Sequence, residues 1–586
     1  MVVHVAPHWR RRSAVTHSTF PTTGTCQTWD RSATSYAHLV AELLIGPMLR
    51  YVSTSAATVW VETDMPCTVE ICAVRQRTFS VSGHHYALVV IEGLQSGSVI
   101  EYQVLIDGER RWPLAGSRFP PSCIRTYEQG APVKVTFGSC RAAAPHQEPY
   151  ILKLEHDARS KGVDALHAAG LRMIEQDPAE WPQLLLFLGD QVYADDSSPM
   201  TAERIRGRRH GQGEPPHDVV ADFEEYTSLY RETWTPEIER WVFSVVPSAM
   251  IFDDHDMIDD WNISAAWVTD IRAEPWWPEH IIGGLMSYWI YQHIGNLSPG
   301  RLAQEGMLDQ LMAAPDATDL LRSWALESEE FTPVPGGYQF SFDRHLGGVH
   351  VVVIDSRNGR VLEPGRREMV GADEWAWVVE RSMEHADQLV LATSLPLFVP
   401  GGLHGIQQWN EALCEGATRR WARRLGERLR RALDLEDWAA FDNSFRRFER
   451  LLLDVCTAAP DHDPPATVWV LSGDVHFAYV ADIIMPEGIS TTVRQVACSP
   501  IRNTLSRRDR RVMRFGASRA GRRLGKLLMR LAGREASTLT WEITGGPVFD
   551  NNMGTLRFDG NRATLSLDVA VVENGRQCLR ESDEVH

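Results

Sequence analysis

Between Leu43 and Ser122, apolar and polar positions alternate in four short runs: Ala57–Thr63, Thr68–Cys72, His85–Ile91 and Val99–Ile106. A period of two puts alternate side chains on opposite faces of a strand. Short strands at turn-punctuated intervals predict a small antiparallel β-sandwich. From Val133 the pattern changes. Apolar runs at Val133–Phe137, Leu184–Leu188, Ala249–Phe252, Val349–Ile354, Leu389–Ala392 and Val468–Leu471 read as buried strands. Helical spacing over 164–177 and 219–234 lies between them, and this alternation predicts an α/β domain. Strand patterns return at Thr538–Thr544, Met553–Phe558 and Ala563–Val571.

The pattern divides the chain. Residues 1–38 are rich in Ser and Thr without periodicity and read as a disordered tail. Residues 39–128 form the β-sandwich module, of immunoglobulin or fibronectin kind. Residues 129–575 form the α/β domain, with mainly helical insertions at about 262–335 and 405–465. Residues 576–586 are left as a terminal tail. Trp276 and Trp277, in the first insertion, read as packing residues.

Residues 507–534 are locally basic. On one helical wheel Leu524, Leu527, Leu528 and Leu531 share a face, away from Arg519, Arg522, Arg523, Lys526 and Arg530. Such a helix either packs its leucines on the protein with a solvated basic face or makes peripheral contact with a membrane surface.

Composition narrows the function classes. A chain of 586 residues needs more than one core. The formal net charge of -18 argues against specific nucleic-acid binding. Nine scattered cysteines without C-x-x-C spacing form no disulfide framework and no zinc ribbon. With no long apolar run and no apolar segment after Arg10-Arg11-Arg12, the expected location is cytoplasmic.

The chemistry lies where the apolar runs stop. Val468–Leu471 ends in Ser472-Gly473-Asp474-Val475-His476, a carboxylate and an imidazole two residues apart. Leu184–Leu188 ends in Gly189-Asp190-Gln191-Val192-Tyr193, and Ala249–Phe252 in Asp253-Asp254-His255-Asp256, with Asp259, Asp260 and Asn262 beyond. Val133–Phe137 ends in Gly138-Ser139-Cys140-Arg141, and Val349–Ile354 in Asp355-Ser356-Arg357. In open α/β sheets ligands gather outside the carboxyl ends of the strands. So many carboxylates beside one cleft would repel each other or take up protons unless cations compensate them. Carboxylate and phenol oxygens suit a hard multivalent metal, and a Cys140 thiolate adds affinity for iron or another transition metal. Phosphate-ester hydrolysis draws on the water activation, charge neutralisation and alignment such ions supply. Arg141 and Arg357 offer bidentate phosphate contacts, and His255 a proton or hydrogen bond for the phosphoryl group. Asp195 and Asp196 read as solvated loop charges.

Taken in order, G-S-C-R (138–141), G-D-Q-V-Y-A-D (189–195), D-D-H-D (253–256), D-S-R (355–357) and S-G-D-V-H (472–476) resemble the PhoD-like alkaline phosphatases of the metallophosphoesterase superfamily. Gly46–Arg50, leading into Ala57–Val61, is similar to the β module that precedes some members. The resemblance implies a four-layer αββα core with two mixed sheets behind a small all-β domain. It implies a ferric ion with calcium ions, and hydrolysis of phosphomonoesters or phosphodiesters. Carried over by motif, Cys140, Asp190, Tyr193, Asp474 and His476 form the metal shell. Asp254 and Asp259 extend it toward a second metal, and Arg141, His255 and Arg357 face phosphate. Where Asp259 stands the family often has Asn, and the twin-arginine leader of secreted members does not appear.

The expected partner is therefore a small phosphate ester, or a phospholipid- or nucleotide-type substrate. The competing expectation is a catalytically silent phosphatase fold acting as a binding or scaffold protein at a membrane surface. Retention of Asp190, His255, Asp474 and His476 favours the enzyme.

Overall fold

The computed structural model describes residues 41–209, 215–330, 338–363, 365–416, 420–505 and 507–581. The tail at 1–38, and the last part of the insertion at 262–335, lie outside the described residues.

Two mixed sheets face each other. In the six-stranded sheet, Val133–Gly138, Leu184–Leu188 and Ser248–Ile251 run parallel side by side. Asn552–Asp559, Arg562–Glu573 and Arg576–Arg580 extend it antiparallel. Residues 576–580 are thus an edge strand, not a tail, because they continue the hairpin from Arg562–Glu573. In the seven-stranded sheet, Val349–Ile354, Gln388–Thr393, Thr467–Ser472 and Thr492–Ala497 are parallel neighbours, flanked by Phe342–Leu346 on one side and by Ala478–Ile484 and Thr540–Val548 on the other.

Alternation along single strands shows the layering. Val351, Val353, Val390, Ala392, Trp469 and Leu471 join the core shared with the first sheet. Their neighbours Val352, Ile354, Leu389, Leu391, Val468 and Val470 pack instead with Trp375, Val378, Phe445 and Phe448 of covering helices. A strand buried on both faces has a continuous apolar run rather than an alternating one. Helices Ala165–Glu175 and Glu237–Val245 cover the other sheet, which completes the αββα order.

The N-terminal domain contains two four-stranded antiparallel sheets and a strand pair. It has no core of its own: its buried residues, Trp60 and Tyr86 among them, are continuous with those of the larger domain. Arg50, fully buried, donates from Nε to Ser248 O (3.1 Å), Nη1 to Tyr291 O (2.6 Å) and Nη2 to Gln292 O (2.6 Å). Tyr291 and Gln292 lie in a wide π-turn, Tyr288–His293, that extends helix Trp277–Ser287.

The basic stretch is two helices, Arg507–Ala517 and Arg519–Leu531. The second packs on helix Gly401–Gly416 through glycines: a Cβ on Gly405 would stand 2.4 Å from the Cα of Gly525. Its leucines therefore do not form the protein-facing side, and Leu524, Leu527 and Leu531 are 39%, 53% and 71% exposed. No helix of the described residues is long and apolar enough to cross a membrane.

Replacing Arg50 by Met leaves three buried carbonyls without donors. We expect a loss of about 3 kcal/mol or more in urea unfolding, since each orphaned buried acceptor costs about 1–3 kcal/mol. An unchanged midpoint would remove Arg50 as the fastener between the domains.

Candidate metal centre

The parallel strands of both sheets stop at the same edge, and their following loops meet there. The sheets come so close that a Cβ on Gly473 would stand 2.2 Å from Ser139 Oγ and 2.7 Å from Leu188 O. Gly189 has φ +107°, and a Cβ there would strike Asp253 Cβ at 2.5 Å. Cys140 (φ 58°), Asp190 (φ 52°), Asp474 (φ 63°) and His476 (φ 54°) all have left-handed backbone. That conformation costs a non-glycine residue about 1–3 kcal/mol and persists only where the surroundings impose it. It turns each of these chains sharply out of its strand.

Asp256 supplies much of that imposition. Its carboxylate accepts from the backbone N–H of Asp190 (2.9 Å), Gln191 (3.2 Å), Val192 (3.3 Å) and Asp253 (3.0 Å), and from Gln292 Nε2 (3.0 Å). One buried side chain thereby ties the loop carrying Asp190 to the loop carrying Asp254. Two backbone bonds join the Cys140 loop to the same place: Cys140 N–H donates to Gly189 O (3.2 Å) and Arg141 N–H to Asp190 O (2.9 Å).

Three sets of metal-capable atoms result, each with members within 4.8 Å of one another: Cys140, Asp190 and His476; Asp190, Asp253 and Asp254; Asp254, His255 and Asp259. Asp190 links the first set to the second and Asp254 the second to the third. The Tyr193 hydroxyl donates to Asp190 Oδ2 at 3.4 Å, and Asn503 Nδ2 donates to that hydroxyl at 3.2 Å. Asp190 Oδ1 and Asp253 Oδ2 are buried and accept no hydrogen bond. Buried carboxylate oxygens left without donors, beside a thiol and an imidazole, fit bound cations.

The electrostatics agree. Burial pushes the Asp190 and Asp474 carboxyls well above the usual carboxylate range, and Asp253 among other neighbours adds to both shifts. Burial likewise pushes Asp253 and Asp259 up to about 7, Asp434 to about 9 and Asp260 to about 10. Burial, then Asp190 and Asp474, push the Cys140 thiol up, although the hydroxyls of Ser139 and Ser499 lie 3.1 Å from its Sγ. Asp254 is the exception, held down to about 2 because Arg357 and His255 outweigh its burial. Without added positive charge most of this cluster binds protons; a multivalent cation replaces them.

The phosphate-facing expectations divide. His255 lies in the cluster, with Nδ1 2.9 Å from Asp195 Oδ1, Nε2 3.8 Å from Asp259 Oδ1 and its ring against that of Tyr193 at 4.7 Å. Burial alone would lower its pKa, but Asp195 and Asp254 raise it well above the ordinary value. Asp195 is therefore not a solvated loop charge: it also accepts from Asp259 N–H at 2.6 Å. Asp474 sits in the loop, its N–H donating to Ser139 Oγ at 3.1 Å, but its carboxylate is outside the three sets.

Arg141 does not face the cleft. It is buried and points the other way, pairing with Asp164 (2.8 Å) and Glu239 (3.1 Å) and donating to Thr233 O (3.1 Å). Arg357 is beside the cleft but fully buried and consumed: it pairs with Asp253, with both oxygens of Glu436, and with Asp254 at 3.3 Å. Both guanidiniums are spent on neutralising buried carboxylates.

Sequence reasoning missed four residues. Asp253 and Asp256 stood in a quoted motif without a role, and their offsets from Asp254 carry no signal that separates ligand from anchor. Asp195 was named and misjudged. Glu436 belongs to no motif and comes from the second insertion, 79 residues beyond Arg357. Next to the cluster, a pocket of about 280 Å³ is lined by Trp261, Trp267, Trp277, Ile271, Leu285 and Arg360 among others, so Trp277 packs and also lines a cleft.

Arg141→Ala removes the nearest guanidinium from the buried Asp164 and Glu239, leaving Glu239 only its two imidazoles, and should cost about 3–5 kcal/mol of stability, read by chemical unfolding. Glu239 is held well below the ordinary carboxyl range and Asp164 below it: burial would raise both, but His146 and His167 with Arg141 outweigh it at Glu239, and Arg141 at Asp164. The stabilisation they give the wild type is thus complete above the ordinary carboxyl pKa of about 4 and fades as pH falls below it. The variant should show a flatter acid limb, and equal acid sensitivity in both proteins would contradict the assignment.

Comparisons with known proteins agree with this architecture. Residues 166–276 match the family model of the PhoD-like phosphatase, and residues 40–124 match a domain of unknown function, DUF7800. No curated protein matches the chain. A solved structure titled "Structure of PhoD" aligns with a TM-score of 0.53 at 10% sequence identity, covering 94% of this chain and 90% of that one. The chain thus carries a PhoD-like phosphatase domain, matched over residues 166–276, and has the fold of PhoD along almost its whole length.

Proposed function

We propose that the chain is a metal-dependent phosphate-ester hydrolase, acting on phosphomonoesters, phosphodiesters or both. The observation that carries this reading is the convergence of Cys140, Asp190, Asp253, Asp254 and His476 from both sheets, with buried carboxylate oxygens left over. Cys140, Asp190, Tyr193 and His476 would hold one ion, and their sulfur, nitrogen and phenol donors suit iron. Asp190 and Asp254 would hold a second, with Asp259 beyond Asp254 and Asp474 at the margin; an all-oxygen set suits calcium. Bound ions supply Lewis-acid charge and a water of lowered pKa.

The protein's own groups do the rest. With Arg141 and Arg357 committed to carboxylates, His255 is the cation of the expected three that remains in the cluster. Asp195 orients it through Nδ1, and from its place beside Asp254 and Asp259 it would hydrogen-bond a phosphoryl or leaving oxygen. The neighbouring tryptophan-lined pocket suits an apolar or aromatic leaving group. All described cysteines are free thiols, which accords with a cytoplasmic location.

Metal-replete protein should hydrolyse a chromogenic phosphomonoester or phosphodiester, and chelation should abolish turnover until metal is restored. Asp190→Asn should lose bound metal and activity together. Asp195→Asn should lower kcat about 10–100-fold with metal retained, as expected for a residue that orients a general acid. No turnover of either ester by fully loaded protein would defeat the reading.

One surface favours a second role, contact with an anionic lipid surface. Leu524, Leu527, Leu531 and Phe515 are exposed beside Arg519, Arg522, Arg523, Lys526 and Arg530, in a chain whose net charge is -18. Exposed leucines flanked by bases complement an anionic bilayer. Vesicles containing phosphatidylglycerol should retain the protein, and neutral phosphatidylcholine vesicles should not. Leu527→Ser with Leu531→Ser should release it; equal retention of wild type and variant would refute this contact.

A further inference from the structure

A second group of metal-capable side chains lies far from the strand ends just described. The edge hairpin of the seven-stranded sheet pairs Phe342–Leu346 with Val349–Ile354, and His345 stands opposite His350. The two imidazoles stack with centroids 4.0 Å apart and planes 16° from parallel. Both Nε2 atoms aim at one oxygen, Asp343 Oδ2, at 3.3 Å from His345 and 3.2 Å from His350. Glu384, just past helix Ala372–Ser382, brings Oε2 to 3.6 Å from His345 Nε2. Its other oxygen, Oε1, is held by Arg381 at 2.5 Å, which aims Oε2 into the group.

These separations are informative. A tetrahedral ion with bonds of about 2.0–2.1 Å to nitrogen and oxygen holds its ligand atoms about 3.3 Å apart. All three spacings lie near that value. His350 is fully buried, and its Nδ1 has no hydrogen-bond partner, so its polar attachment is to this group. Two imidazoles and two carboxylates neutralise a divalent cation and offer the donors zinc takes.

Another cluster, His146, His167 and Glu239, shows what a closed group looks like. There Arg141 occupies the same Glu239 oxygen that both imidazoles approach, so a cation already stands in the ligand position. Among the described residues no arginine pairs with Asp343; Arg381 sits on the far oxygen of Glu384.

We propose that Asp343, His345, His350 and Glu384 form a zinc-class divalent metal site that clamps the edge hairpin to the end of helix Ala372–Ser382. The site is separate from the candidate catalytic cluster. His350 is five residues before Asp355 on an extended strand, about 17 Å back from the carboxyl edge at about 3.3 Å per residue. A metal here also protects the edge, because it holds the outermost strand against its neighbour.

The test uses full-length protein, stripped by chelator and dialysed against zinc, with metal counted by mass spectrometry. His345→Ala and Glu384→Gln should each carry one zinc equivalent fewer than wild type. The His345 side chain is 55% exposed and that of Glu384 33%, so neither change opens a buried core, and unchanged thermal unfolding of the stripped proteins checks this. Cobalt substitution should give the wild type a tetrahedral visible band that His345→Ala lacks. Phosphate-ester turnover should survive both substitutions, and the zinc count does not depend on there being any turnover. Equal zinc content in wild type, His345→Ala and Glu384→Gln, with identical cobalt spectra for wild type and His345→Ala, would overturn the site.

Discussion

Asp256 holds five donors on one buried carboxylate, four of them backbone N–H groups of the loops that bear Asp190 and Asp253. The rest of the centre depends on that arrangement. Strands of one sheet deliver the loops, but strands alone would let them leave in any direction. The shared acceptor fixes their spacing, which in turn sets the distance between Asp190 and Asp254. Burial pushes the Asp256 carboxyl up to about 6, while its backbone donors and Gln292 pull it back down and favour the ionised form. Anchor and loops are mutually dependent, and the left-handed backbone at Asp190 is the strain this dependence sustains.

Positive charge is distributed with similar economy. Three buried arginines each answer a different demand. Arg50 satisfies carbonyls where the N-terminal domain meets the π-turn that also presents Gln292 to Asp256. Arg141 neutralises Asp164 and Glu239 behind the centre, and Arg357 neutralises Asp253, Asp254 and Glu436 at its wall. None is spare. On the proposed function, a phosphate at the centre would meet His255 and whatever cations the carboxylates hold, because the arginines are already paired. This is consistent with so many carboxyls kept far above their ordinary range: they are poised to exchange protons for metal ions.

The insertions and the N-terminal domain take part in the centre. The second insertion sends Glu436 to Arg357 and Arg360; the first provides the tryptophan-lined pocket and the π-turn. The β domain closes over the π-turn through Arg50 and Trp60, whose ring packs on those of Trp234 and Tyr291. A centre assembled from this many segments is rigid only when all of them are docked.

Much of this was legible beforehand. The apolar runs marked Leu184–Leu188 and Val349–Ile354 to the residue, because strands buried on both faces tolerate little else. Each run stopped at the polar residues that now meet, since a parallel sheet aligns its carboxyl ends whatever the loops contain. What the linear chain could not reveal was direction and company. Cys140 and Arg141 are adjacent, yet one enters the cluster and the other leaves it to pair with Asp164 and Glu239. Asp195, Asp256 and Glu436 acquire their roles only from donors and cations brought close by packing. The glycine-lined seat of helix Arg519–Leu531 turned outward the leucines that periodicity alone would bury. Residue type and strand position thus settled the kind of chemistry at the sheet edge, whereas burial and long-range pairing, which depend on distances in space and not along the chain, decided which charges serve it and which hold the molecule together.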